Sequence, residues 1–177
     1  MISSILKHLN DGGVIVHPTD TVFAISSLAS SSPGYKKIYE LKKRDFNKPL
    51  GVLLKEIKDI ENFTSLPMEE VKKMQTFLES GGTLLLPIHS NLPKHLLDQS
   101  DFIGVRIPNH KQTKELIEHL GPLIATSANI SGEPPITNAK EAIALFPDCM
   151  ILDGTLGSNT PSTILKYSPE GYSILRS

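Results

Sequence analysis

Residues 12–27, Gly12-Gly13-Val14-Ile15-Val16-His17-Pro18-Thr19-Asp20-Thr21-Val22-Phe23-Ala24-Ile25-Ser26-Ser27, set the fold class. Val14, Ile15 and Val16 form an apolar run of the kind a buried strand requires, and Val22 opens a second strand through position 27. Between them lie turn-forming residues, and strands this close in sequence can pair antiparallel. Upstream, Ile2, Ile5, Leu6 and Leu9 repeat at helical spacing, and Gly12-Gly13 supplies the stop.

The alternation continues downstream. Ser32-Pro33 supplies a cap and first turn for a helix through about Leu41. Residues 50–54 read as a strand, and Pro67-Met68-Glu69-Glu70 opens a helix with acidic groups favourably placed in its first turn. Thr83–Pro87 and 102–107 read as strands, Lys111–Leu120 as a helix, and 123–126 as a strand running into Ser127-Ala128-Asn129. Thr137 caps a helix through Phe146, and strands at 150–152, 162–165 and 172–175 close the chain. The expectation is one α/β domain over residues 1–177, built on a mixed parallel and antiparallel sheet flanked by helices.

Composition narrows the function. The chain has 177 residues, 18 Lys+Arg against 19 Asp+Glu, one Cys, no Trp and six His. A chain of this length buries roughly 70% of its unfolded surface and needs no covalent staples. One Cys excludes a disulfide framework or a Cys-rich zinc site. A net charge of -1 argues against coating nucleic acid or an anionic membrane through bulk charge. The N-terminus has no secretory pattern, and the longest apolar run, around 84–86, is far short of a membrane span. With a lone thiol at Cys149, these features set a cytoplasmic location, with no membrane partner, as the expectation.

Gly12-Gly13 and Gly81-Gly82 do not open a P-loop, no Gly-x-Gly-x-x-Gly follows a strand, and Ser127 is not in Gly-x-Ser-x-Gly. The histidines form no His-x-x-x-His pair, so no residue is assigned to a metal. Three segments remain. Pro18-Thr19-Asp20-Thr21 offers hydroxyls and a carboxylate to a small polar ligand, or is an ordinary turn. Six of the 18 basic residues fall between positions 36 and 48. They either complement the end of a helix dipole or, if the chain leaves the helix extended, bring Lys42 and Arg44 onto one face to grip an anion. Ser127 and Asn129 either share a face suited to phosphate or ribose, or belong to a plain polar loop.

Together these segments resemble the YrdC/Sua5 family of threonylcarbamoyl-AMP synthases. Pro18-Thr19-Asp20-Thr21-Val22 resembles the family's first motif, and Lys42-x-Arg44 with Lys48-Pro49-Leu50 its Lys-x-Arg block. Val105-Arg106-Ile107-Pro108, Ser127-Ala128-Asn129 with Ser131-Gly132, Pro161-Ser162-Thr163-Ile164 and Ile174-Leu175-Arg176 follow in the family's order. The resemblance implies a sheet around a concave, electropositive cavity, in the short single-domain form.

It also implies a nucleotidyltransferase that makes threonylcarbamoyl-AMP and pyrophosphate from L-threonine, bicarbonate or CO2, and ATP with Mg2+. The product would pass to a tRNA threonylcarbamoyl-transferase complex for modification beside the anticodon. Lys42 and Arg44 would be the catalytic pair. Those two, with Ser127, Asn129 and Arg176, would bind ATP, and Thr21, Arg106 and Ser162 would bind threonine. Phe23-Ala24 stand where the family usually has Tyr-Gly, Asp45 follows Arg44 where Pro is common, and Glu79-Ser80-Gly81-Gly82 replaces a Trp-Pro-Gly-Pro segment. Lys166 stands where Asp is frequent. A non-catalytic RNA-binding paralogue, with weak RNA contact through the same basic residues, is the alternative. A carbamoyltransferase-type module of hydrogenase maturation ranks last, since such proteins carry Cys-rich zinc fingers.

Overall fold

The computed structural model describes residues 2–46, 48–98 and 100–177. Helix α1 (Ile2–Asn10) leads into β1 (Ile15–His17) and β2 (Ala24–Leu28), then α2 (Ser32–Lys42) and β3 (Gly51–Leu53). A 3-10 segment (Ile57–Asn62), α3 (Met68–Lys72) and α4 (Gln75–Glu79) precede β4 (Thr83–Pro87). Then come α5 (Lys94–Leu97), β5 (Phe102–Arg106), α6 (Lys111–Leu120), β6 (Leu123–Ser127) and α7 (Ala139–Leu145), and finally β7 (Met150–Ile151), β8 (Ile164–Ser168) and β9 (Gly171–Arg176). Among the described residues the strands form one mixed sheet in the order β7-β1-β2-β6-β3-β5-β4-β8-β9. β1 and β2 pair antiparallel, with Ile15 opposite Ser26, as the opening segment requires. No helix among the described residues is long and apolar enough to cross a membrane.

Both faces of the central strands are covered, which is why β1 is an unbroken buried run. Ile15, Leu53, Leu123 and Ala125 join Ile5 and Leu9 of α1 and Leu116 and Ile117 of α6 in one apolar cluster. Their neighbours Val14, Val16, Val52 and Ile124 face the other way, into a larger cluster with Ile38 and Tyr39 of α2. The period of two along each strand thus sorts alternate residues into two cores.

Several boundaries differ from the sequence expectation. The cap of α2 is Ser31, whose side chain accepts from the Gly34 amide, and Pro33 lies inside the first turn. The cap of α7 is Asn138 rather than Thr137, whose hydroxyl instead meets the Glu141 carboxylate. The second strand starts at Ala24, and Ser162 precedes β8 instead of lying in it. The 3-10 segment, α4 and α5 are too short to leave a periodic signal.

Candidate functional site

The register lines up chemistry from distant parts of the chain. Leu53 pairs with Arg106, Arg106 with Thr83, Thr83 with Ile164, and Ile164 with Arg176. One row across five strands therefore carries two arginines and a threonine on the same face. Beside it, Gly51 pairs with Ala125, and Ala24 pairs with Ser127. These small residues leave space above the sheet. The result is a cavity of about 230 Å³ whose walls include Thr21, Arg44, Arg106, Ser127, Ser162 and Arg176.

Six of the eight residues singled out in the sequence thus line one cavity, and Lys42 and Asn129 do not. The extended helix exit that would have joined Lys42 to Arg44 is absent. Lys42 is the last residue of α2, and Lys43 adopts a left-handed conformation with φ 49°. Lys42 is 1% exposed. Its Nζ donates to the main-chain oxygens of Ser127 and Asn129 and to Asn129 Oδ1. The shared face expected of Lys42 and Arg44 is therefore corrected: Lys42 is buried and its ammonium is bound by the protein. Burial, aided by the charge of Arg44, lowers the Lys42 pKa to about 7.

Asn129 is likewise used up within the protein. Its Nδ2 donates to the carbonyls of Ile130 and Glu133, while Oδ1 accepts from Lys42 and from Ser127 Oγ at 2.7 Å. Because an ammonium only donates, Oδ1 must be the oxygen, and the Ser127 hydrogen points at it. Ser127 Oγ consequently offers lone pairs to the cavity, which suits a ligand donor such as a ribose hydroxyl.

Arg44 remains on the cavity wall. Its Nε donates to the Lys48 carbonyl at 3.0 Å and its Nη2 to the Pro49 carbonyl at 3.1 Å, so the loop after α2 aims the guanidinium. Tyr39 Oη also donates to the Lys48 carbonyl, and the Tyr39 ring stacks on Phe46 with centroids 4.5 Å apart. Arg176 donates through Nε and Nη2 to the Ser162 carbonyl, and Ser162 Oγ shares a 2.8 Å hydrogen bond with Thr83 Oγ1.

Sequence reasoning placed Arg106 but missed its holder. Arg106 Nη2 contacts Asp20 Oδ1 at 2.7 Å, with both side chains about nine-tenths buried. Arg106 Nε donates to the Gly81 carbonyl, and the Asn109 amide donates to Asp20 Oδ2. Burial pulls the Arg106 pKa down, against the opposing pull of Asp20. Gly81, part of the segment that departs from the family pattern, has φ +88°, and a Cβ there would lie 2.6 Å from Asp20 Oδ2. Ser162 follows a loop stitched to the first motif, since Gly157 N donates to Thr19 O and Ser158 N to Asp20 O. The only sequence signal for the Asp20–Arg106 pair is an acidic residue in the first motif, 86 positions away from its partner.

Two other departures settle into ordinary roles. Phe23 is buried in the core while Ala24 lines the cavity, and Lys166 Nζ lies 4.4 Å from the Phe102 ring centroid.

A sheet-floored cavity walled by three arginines and several hydroxyls has the charge and polarity suited to a small anionic ligand. The family described as Telomere recombination (Sua5/YciO/YrdC) matches residues 7–177, and the chain belongs to that family. It is 32% identical over 174 residues to the threonylcarbamoyl-AMP synthase of Pseudoalteromonas translucida, covering 92% of this chain and 91% of that one. It is 29% identical over 169 residues to the enzyme of the same name from Hydrogenovibrio crunogenus, covering 92% and 91%. The crystal structure of P. abyssi Sua5 complexed with L-threonine superposes with a TM-score of 0.89 at 27% identity, covering 99% of this chain and 53% of that one.

Proposed function

We propose that the chain makes threonylcarbamoyl-AMP and pyrophosphate from ATP, L-threonine and bicarbonate or CO2. The observation that carries this reading is the aligned row Arg106–Thr83–Ile164–Arg176 beside Arg44, which puts cations on more than one wall of a single cavity. Carboxylate, carbamate and triphosphate are all anions, and their meeting requires that distribution of charge. The names of the relatives and the threonine bound to P. abyssi Sua5 supply the substrate class.

In this reading Arg44 and Arg176 take the phosphates, and Ser127 accepts from the nucleotide sugar. Arg106, fixed by Asp20, faces the threonine carboxylate, while Thr21 and Ser162 hold its polar atoms. The threonine amine captures CO2 as a carbamate, the carbamate oxygen attacks the α-phosphorus, and pyrophosphate leaves. The arginines lower the repulsion between the two anions and stabilise the charge gathering on the departing pyrophosphate. Shared occupancy of one cavity also holds the carbamate beside ATP. No covalent bond to the protein is needed.

Mg2+ belongs to this proposal as a companion of ATP. Both oxygens of Asp20 are already engaged, and among the described residues no group of three or more His, Cys, Asp or Glu converges. The described residues therefore offer no carboxylate cage, and an ion there would be carried by the phosphates. The product would pass to the tRNA threonylcarbamoyl-transferase complex. Incubation with ATP, threonine, bicarbonate and Mg2+ tests the proposal: pyrophosphate release should require threonine. The same release without threonine would reject it, and tight RNA binding without turnover would favour the RNA-binding alternative.

A further inference from the structure

The two residues that sit behind the cavity wall form a unit with a consequence for the site. Lys42 and Asn129 are 1% and 8% exposed, and Lys42 bonds to the segment 127–131 that carries Asn129. The Lys42 ammonium has three N–H donors and three oxygen acceptors, so its capacity is filled. Its own main-chain oxygen accepts from Ser131 N at 2.9 Å. The contact therefore spans the whole turn that follows β6.

A buried ammonium is costly unless its donors are satisfied, and here all three meet oxygens of Ser127 and Asn129. Among the described residues the ion pairs do not include Lys42, so main-chain dipoles and one amide oxygen solvate it. The same amide oxygen takes the Ser127 hydrogen. Rotation of Ser127 Oγ is thus tied to the position of Lys42 through a single atom.

We propose that Lys42 and Asn129 are positioning residues, a buried buttress that fixes Ser127 on the cavity wall so that its oxygen faces the nucleotide, and that Lys42 does not touch the nucleotide. The proposal rests on the reading that ATP occupies this cavity. It changes what loss of Lys42 should do. A lysine in contact with phosphate acts independently of Ser127, whereas a buttress acts through it.

The test is a double-mutant cycle on the full chain, with ATP affinity measured by calorimetry for Lys42→Met, Ser127→Ala and the combination. Each single change should weaken ATP about tenfold, and the double variant should be no worse than the weaker single. L-threonine affinity should stay within twofold, which general damage to the fold would not allow. Losses that multiply to about a hundredfold in the double variant, or no loss in Lys42→Met, would overturn the proposal while leaving the synthase reading intact. Failure of the wild-type chain to bind ATP would overturn both.

If Lys42→Met does not fold, Asn129→Ala enters the same cycle with the same expectation. A measurement on the unmodified protein stands beside these variants. Under brief amine acetylation of the folded chain, Lys42 should resist labelling with and without ATP. Labelling of Lys42 that ATP suppresses would overturn the buttress.

Discussion

Asp20→Asn removes one charge from the Asp20–Arg106 pair while keeping its shape. The contact is 2.7 Å, and the two side chains are only 12% and 10% exposed. Two unit charges at that spacing interact by roughly 6 kcal/mol at an effective dielectric of 20. The amide oxygen can still accept from Arg106, which recovers part of this. Its NH2 group, however, would then face the Asn109 amide that now donates to Oδ2 at 3.0 Å. Breaking a buried pair from one side costs about 3–5 kcal/mol, and with the retained hydrogen bond the loss should be about 3 kcal/mol. For a chain of this length that is a fall in Tm of roughly 6–12 °C. Urea and thermal denaturation measure it directly. Because Arg106 is also left unaimed, kcat/KM for threonine should fall about tenfold, with KM for ATP changed less than threefold. A stability change under about 0.5 kcal/mol together with an unaltered threonine KM would refute the claim that Asp20 fixes this wall.

Arg44→Ala should weaken ATP by about 10–100-fold while costing about 1 kcal/mol or less, since the side chain is only half-buried and bonds main-chain carbonyls of one loop; nucleotide titration and urea denaturation check both. Gly157→Ala should destabilise by about 2–3 kcal/mol, because a Cβ there would lie 2.0 Å from Asp20 O, a backbone atom that cannot step aside; a thermal melt reads this. His17 is fully buried, between the Pro18 carbonyl and Ser26 Oγ, and burial lowers its pKa from 6.5 to about 4. The unfolded chain then binds the proton first, so stability should fall by about 3 kcal/mol as pH drops from 6.5 through 4. His17→Gln should flatten that limb in pH-dependent urea titrations.

Much of the architecture was legible because strand and helix periods are local. The helix Lys111–Leu120 and the strand Thr83–Pro87 have the expected ends, for each is bounded by turn-forming or capping residues. Cap positions at Ser31 and Asn138 were one residue off, since adjacent polar residues compete for the role. Sheet order was not legible, because non-local pairing leaves no mark on spacing. It is that order that places Arg106, Thr83 and Arg176 in one row. Motifs identified the cavity-lining residues but could not tell a residue facing the ligand from one behind it. Lys42 and Asn129 belong to motifs with Arg44 and Ser127, yet the left-handed Lys43 and the Lys42–Asn129 bond turn them inward. Asp20 was visible as a motif carboxylate or a turn former, and its partner only once the fold brought Arg106 to it.

The central claim is that this cavity joins threonine, CO2 and ATP. Pyrophosphate release by the purified chain, followed with L-threonine present, absent or replaced by L-valine, tests it most directly. Release should require bicarbonate and L-threonine, with a matching adenylate product carrying the threonine carbon. Release at the same rate without threonine, or none with every substrate present, would contradict it.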